Sequence, residues 1–271
     1  MTNLPSGHAQ VLDLIRTSVA RDGRFDGLAA GGSLLTGDLD RYSDLDLVVV
    51  VGDDHHSAVM EQRREIAAEW MPLLAAFTGE HVGEPRLLIC LCADPLLHVD
   101  LKFVRADELE RRIENPLVIW ERDQTVSRSI ARTEPSPLAV DPQWIEDRFW
   151  IWVHYAATKL GRGELFEVLE FLSFLRSEAL VPLAQHVRGL TPRGVRRFEQ
   201  RAPDLVPLVA GTVASHDWDE CAAAVARCVE IYRSLRGQLS VPIGVSAEAE
   251  DASVAYLDTV VADGPAPRSA V

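Results

Sequence analysis

Asp44 and Asp46 stand at the head of the apolar run Leu47-Val48-Val49-Val50-Val51, separated only by Leu45. In a strand, successive side chains point to opposite faces. Asp44 and Asp46 therefore share one side while Leu45 and Leu47 enter the core on the other. Two carboxylates about 7 Å apart along a strand repel each other, and a low-dielectric core makes that costly. A strand of this kind expects a cation at its head. Oxygen-only ligands suit Mg²⁺, which keeps several waters and binds one or two carboxylates together with substrate phosphate.

A second strand supplies a further carboxylate. Residues 97–104 read LHVDLKFV, with Leu97, Val99, Leu101 and Phe103 on one face and His98, Asp100 and Lys102 on the other. If the two strands are neighbours, Asp100 joins Asp44 and Asp46. Three carboxylates can hold two metal ions roughly 4 Å apart, the arrangement for in-line phosphoryl or nucleotidyl displacement. Separated from Asp44 by ten residues, Gly31-Gly32-Ser33 is expected to form a turn. Its glycines permit close backbone approach, and its N–H groups and the Ser33 hydroxyl are suited to a polyphosphate. Singly, each of these features also fits an ordinary turn or strand end. Their combination is what carries the argument. His98 and Lys102, on the face of Asp100, either touch phosphate or line the rim of the site.

The organisation of the chain follows from periodicity and breakers. Residues 8–21 show helical spacing at Val11, Leu12, Ile15 and Val19. Strands are expected at 25–30, 45–51, 86–93 and 97–104, with an edge strand near 117–120. Helices are expected at 55–76 and 106–113. The stretch 133–142, TEPSPLAVDP, has three prolines in ten residues and reads as a linker. Beyond it helices are expected at 142–161, 163–186, 193–199, 204–214 and 217–238. The fold class is α+β: a domain over 1–132, the linker, a helical domain over 143–262 and a disordered tail over 263–271.

The 271 residues carry 27 basic and 41 acidic side chains, a net charge of −14. That balance repels nucleic-acid phosphates, so no nucleic-acid partner is expected, and it suits a cationic small molecule. No apolar run approaches the roughly 18 residues of a membrane helix, and the N-terminus lacks signal-peptide character, so no membrane partner and a cytoplasmic location are expected. The four cysteines form no Cys-x-x-Cys pair and read as reduced core thiols. P-loop and Gly-x-Gly-x-x-Gly fingerprints are missing.

Gly32-Ser33, ten residues, Asp44-Leu45-Asp46, and then Asp100 in an apolar strand resemble the nucleotidyltransferase superfamily of DNA polymerase β. The motif is most similar to the bacterial aminoglycoside and lincosamide antibiotic nucleotidyltransferases. Trp152, Tyr155, Lys159, Leu160, Arg162, Gly163 and Glu164, followed by Leu172, Leu175 and Arg176, resemble the second domain of the lincosamide type. The resemblance implies a mixed sheet with helices and transfer of an NMP from MgATP, or another NTP, to a hydroxyl of a small molecule, with antibiotic resistance as the biological setting. Asp44 and Asp46 would bind both metals and Asp100 the one that activates the acceptor. Gly31, Gly32 and Ser33 would balance the charge of the departing pyrophosphate.

In the helical half, Trp144, Arg148, Trp152, Tyr155 and Lys159 share one helix face. The resemblance sets Lys159 beside the triphosphate, with Lys102 a second candidate. Glu164, Glu167 and Glu170 recur every three residues. They read either as a solvated acidic face or as functional, with Glu167 or Glu170 a general base or an anionic wall for an aminated acceptor; the choice between these two residues stays open. A homodimer also stays open. Two rival readings are nucleotidylation of a partner protein, as in antitoxins of this superfamily, and a nucleotide-binding module without turnover.

Overall fold

The computed structural model describes residues 4–266. Contacts divide the chain into two compact units, one ending at Pro137 and the other beginning at Leu138. Among the described residues, no helix is long and apolar enough to cross a membrane.

The first unit is built on a six-stranded mixed sheet. Its elements are α1 (Ser6–Arg21), β1 (Phe25–Ala30), α2 (Gly32–Thr36), β2 (Leu45–Val51), α3 (His56–Trp70), β3 (Leu73–Gly79), β4 (Glu84–Cys92), β5 (Leu97–Val104), β6 (Leu117–Glu121) and α4 (Thr125–Ile130). The strands lie in the order β3-β4-β5-β2-β1-β6. β2 and β5 pair in parallel, while β1 pairs with β2 and β6, and β4 with β3 and β5, antiparallel.

The two faces of the sheet differ. Leu45, Leu47, Val49 and Val51 of β2, with Val99, Leu101 and Phe103 of β5, meet the apolar stripes of α1 and α3 in the larger core. Trp70 locks that layer, packing edge-on against Phe25 at 5.1 Å and near Phe103 at 6.2 Å between ring centroids. Burial of each such aromatic contributes up to about 3 kcal/mol. The opposite face has only a small cluster, in which Ala29, Val50 and Val104 meet Leu109 and Val126. Asp46 and Asp100 lie on that thinly covered face and are half-buried.

The second unit is helical: α5 (Pro142–Gly161), α6 (Leu165–Leu175), α7 (Val181–Val187), α8 (Phe198–Arg201), α9 (Val206–Ala210), α10 (Trp218–Arg236) and α11 (Ala247–Asp263), with a π-helical stretch, Arg176–Leu180, joining α6 to α7. α5 starts where Asp141 accepts from Gln143 N–H at 3.0 Å and Trp144 N–H at 3.1 Å, with Pro142 at the first helical position. It packs against α6, α10 and α11. Its buried Glu146 accepts from Trp150 Nε1 at 3.0 Å, Ser246 N–H at 3.0 Å, Arg236 Nη1 at 3.2 Å and the Tyr232 hydroxyl.

Several expectations shift. The expected helix 55–76 ends at Trp70, and Leu73–Gly79 is an edge strand instead. Pro72 denies that segment a helical N–H and favours extended backbone before it. The expected 106–113 helix is a 3-10 turn over Ala106–Glu110. The helix expected at 193–199 is displaced to α8 (Phe198–Arg201), and that expected at 204–214 shrinks to α9. α4 and α11 were not expected. Of the tail expected at 263–271, Asp263 closes α11 and Ala266 N–H donates to Gly161 O at 2.8 Å. The remainder, 267–271, lies outside the described residues.

Candidate active site

Gly31 leaves the buried strand β1 and donates its N–H to Asp46 O at 3.0 Å. Gly32 then adopts φ +59°, and a Cβ there would sit 1.9 Å from Asp46 Oδ2. The backbone thus lies directly against the Asp46 carboxylate, at a left-handed position that favours glycine. The Gly-Gly-Ser stretch is not the expected turn: Gly32 opens the short helix α2, because Gly37, in a left-handed cap, closes one helical turn further on. Ser33 is buried, and its Oγ has no hydrogen-bond partner among the described residues. A buried hydroxyl left without a partner marks a place where a ligand oxygen can complete the set.

The loop that delivers Asp44 is pinned from elsewhere. His8 Nε2 and Ser43 O lie 2.7 Å apart in a buried contact, which ties α1 to the residue just before Asp44. Asp40 N–H donates to Ser43 Oγ at 3.0 Å, and Tyr42 N–H to Asp40 Oδ1 at 2.8 Å. Nothing in the sequence reading singled out His8. Its place on the apolar stripe of α1, one turn before Val11 and Leu12, is the only signal that could have.

Asp46 of β2 and Asp100 of β5 are direct register partners on neighbouring parallel strands, about 4.8 Å apart in backbone spacing. Two carboxylate charges about 5 Å apart in an effective dielectric near 20 repel by about 3 kcal/mol. Asp100 Oδ1 is engaged by the half-exposed His98, with Nε2 at 2.8 Å. Among the described residues, no group of three or more His, Cys, Asp or Glu side chains is gathered so as to hold a metal ion by itself. The oxygen donors, the orphaned Ser33 hydroxyl and the Gly32 cradle fit Mg²⁺ delivered with substrate phosphate, which supplies the remaining oxygens.

Next to the carboxylates on the same sheet face is a cavity of about 600 Å³, with Gly31, Val48, Lys102 and Val104 in its lining together with Arg86 and residues 108–114. Lys102 Nζ meets Glu84 Oε2 at 2.7 Å. Arg86 holds Glu84 and also reaches Glu108 Oε1 at 2.7 Å. The Arg86 hydrogen bonds, followed by Lys102, pull the Glu84 carboxyl down to about 2 against the opposing effect of burial. Burial pushes the Glu108 carboxyl up, but the Arg105 N–H and the Arg86 guanidinium outweigh it and hold it below the usual range. Arg112 closes the cavity wall by donating to Leu109 O at 3.2 Å, Ile130 O at 2.8 Å and Thr133 Oγ1 at 2.8 Å. Sequence periodicity did not point to Glu84, Arg86, Glu108 and Arg112, because their contacts run from β4 to the 3-10 turn at 106–110 and from Arg112 to Ile130 and Thr133, segments that only the tertiary fold brings together.

Within the helical unit, Lys159 Nζ pairs with Glu164 Oε2 at 2.8 Å and Glu167 Oε2 at 3.4 Å. The Tyr155 hydroxyl donates to Glu167 Oε2 at 3.3 Å. The Glu164 hydrogen bond, backed by the charges of Glu164 and Glu167, holds the Lys159 ammonium above its ordinary pKa. Glu170 is exposed and stands apart from this set. The aromatic face expected on α5 is present: Trp144 lies 5.6 Å from Trp152, Trp152 5.0 Å from Phe174, and Tyr155 4.9 Å from Phe171.

A mixed sheet sets a Gly-Gly-Ser helix start against the Asp46 carboxylate, with Asp100 on the neighbouring strand. Residues 12–83 match the nucleotidyltransferase domain family. The matched segment includes Gly32, Ser33, Asp44 and Asp46 and stops before Asp100, whose place in the site rests on strand register. No curated protein sequence matches the chain. Among solved structures, an aminoglycoside 6-adenyltransferase from Bacillus subtilis is similar at 13% identity, over 95% of this chain and 99% of that one, with a TM-score of 0.40. A nucleotidyltransferase-like protein from Exiguobacterium sibiricum is similar at 13% identity, over 95% and 89%, with a TM-score of 0.36. A spectinomycin adenyltransferase from Enterococcus faecialis, solved with ATP and spectinomycin, is similar at 12% identity, over 96% and 100%, with a TM-score of 0.25.

Proposed function

We propose that the protein transfers AMP, or another NMP, from an Mg²⁺-bound nucleoside triphosphate to a hydroxyl of a small molecule, in the cytoplasm. The observation that carries the reading is the register pairing of Asp46 with Asp100 on neighbouring parallel strands, with Gly32 pressed against Asp46. Asp44, just before β2, and Asp46 on β2 would hold Mg²⁺, together with Asp100 on β5. When bound, two such ions lower the pKa of the acceptor hydroxyl and balance charge on the phosphates. The acceptor oxygen forms a bond to the α-phosphorus, the bond to the β-phosphate bridge breaks, and pyrophosphate leaves with the electron pair. The chain's part is to orient. The Gly32 backbone fixes the Asp46 carboxylate, and Ser33 Oγ donates to a phosphate oxygen. Lys102 and Lys159 are the proposed cationic phosphate contacts, and Glu167 or Glu170 the proposed acceptor of the hydroxyl proton.

The acidic chain, net −14, supports an amine-bearing acceptor of the aminoglycoside or lincosamide kind. The test is pyrophosphate release from Mg²⁺ and ATP with a panel of such acceptors. Release with an acceptor in the wild type, and its loss by at least about a thousandfold in Asp46→Asn and Asp100→Asn, is the expected result. Undiminished release in either variant rejects the site.

A further inference from the structure

Lys102 lies two residues beyond Asp100 on β5 and opposite Val48 on β2, so it occupies the carboxylate face of the sheet, about 7 Å further along. With Gly31 and Val48 it lines the cavity of about 600 Å³. Its Nζ rests on Glu84 Oε2 at 2.7 Å. Glu84 does not depend on that contact. Arg86 donates Nε to Glu84 Oε1 at 2.7 Å and Nη2 to Oε2 at 2.7 Å, a two-point grip on the same carboxylate. Arg86 is further backed by Glu108 Oε1 at 2.7 Å, and Glu108 accepts from Arg105 N–H at 2.8 Å. Lys102 can therefore leave while every other charge in the chain Glu84–Arg86–Glu108 stays paired. It is also the member with a compact ammonium on a long flexible stem, and its side chain is 37% exposed.

We propose that Lys102 is a parked polyphosphate-binding residue. It rests on Glu84 in the unliganded protein and turns onto the β- and γ-phosphate oxygens of the nucleoside triphosphate, while Arg86 keeps Glu84 in place. The proposal rests on the reading above, that a triphosphate binds against Asp46 and the Gly31–Ser33 segment, and adds which side chain reads its length. Glu84 acts as an internal anion competing for the same ammonium, so it sets how tightly polyphosphate is held and how readily pyrophosphate is given up. A nucleoside monophosphate, lacking the outer phosphates, does not draw Lys102 off Glu84.

Calorimetric titration of the full chain with Mg-tripolyphosphate, MgATP and AMP separates the outcomes without requiring turnover. Lys102→Met is expected to weaken Mg-tripolyphosphate and MgATP by about tenfold or more, the effect of one charge-assisted hydrogen bond, and to leave AMP unchanged. Lys102→Arg is expected to recover most of the loss. Glu84→Gln is expected to tighten Mg-tripolyphosphate several-fold by removing the competitor. Wild-type affinity in Lys102→Met, an equal loss for AMP, or no tightening in Glu84→Gln overturns the proposal. A wild-type protein that binds neither MgATP nor Mg-tripolyphosphate overturns the nucleotidyl-transfer reading itself, a different result from variants that behave alike.

Discussion

Replacing Gly32 by alanine isolates the contact between backbone and carboxylate, and Gly37 provides its control. Both glycines are left-handed, at φ +59° and +75°. A non-glycine residue there costs about 1–2 kcal/mol in either case, and each kcal/mol lowers Tm by about 2–4 °C in a chain of this size. The surroundings differ. A Cβ on Gly37 meets nothing within 4 Å, whereas one on Gly32 meets Asp46 Oδ2 at 1.9 Å and Cγ at 2.9 Å. To move from 1.9 Å to the 3.4 Å at which ordinary contact begins, the carboxylate must retreat by about 1.5 Å. A misplacement of about 1 Å in a reacting site costs on the order of a hundredfold in rate. Gly32→Ala and Gly37→Ala should therefore melt at similar temperatures while their pyrophosphate release differs by about two orders of magnitude, with Gly37→Ala within about twofold of wild type. If Gly32→Ala keeps activity within about threefold of Gly37→Ala, position 46 does not work through its carboxylate's placement.

The remaining expectations concern charge and burial. Glu146→Ala should cost about 2–3 kcal/mol, because the buried Tyr232 hydroxyl and Trp150 Nε1 lose their acceptor, while Arg236 keeps Glu250 at 2.7 Å. Denaturant titration reads this directly, and a loss below about 1 kcal/mol would refute it. Burial pushes the Glu146 carboxyl up, but the hydrogen bonds from Tyr232 and Ser246 prevail and hold it below its ordinary 4.5. Its stabilisation is thus present above about pH 4.5 and lost as pH falls through the lower folded value. Glu146→Gln should flatten that acid limb in melts recorded across pH 3–6. Glu84 follows the same sign, its contribution fading between about 4.5 and about 2. Glu84→Gln should remove that part of the limb, and an unchanged profile would contradict the grip by Arg86. Burial raises the thiols, Cys90 and Cys228 to about 12, so a thiol reagent at pH 8 should label none of the four cysteines, all buried, until the protein is denatured.

The strands that carry the site were the easiest to read. β1 stops at Gly31, β2 stops at Gly52 and β5 starts after Asp94-Pro95, and the period of two in β2 and β5 has no helical competitor there. β3 was hidden for a physical reason. Leu73-Leu74-Ala75-Ala76-Phe77 holds no β-branched residue, and alanine and leucine favour helix. Its strand state is imposed by pairing with β4. α11 was missed because its apolar stripe is thin, buried mainly at Leu257 and Val260. Ser246 before it, Glu248 and Glu250 in its first turn and Gly264 after it were nevertheless the marks of a helix.

The same division holds inside the site. Asp46 and Asp100 share a sheet face as alternation predicts, and their direct pairing follows because β2 and β5 are neighbouring parallel strands. Parity does not decide which cation meets which carboxylate. Lys102 looked like a phosphate ligand in the sequence, yet its contact is Glu84, on the antiparallel neighbour β4. That pairing depends on how β4 is set against β5, which no local periodicity in either strand contains. Ion pairs of this kind are also the cheapest interactions in the site to exchange, because a half-exposed pair gains little net energy over its separated, hydrated charges. The backbone scaffold of the site is therefore fixed by strong, periodic burial that a sequence displays. Its electrostatics are set by weak contacts such as Lys102–Glu84, which depend on how β4 is set against β5 and which a sequence does not display.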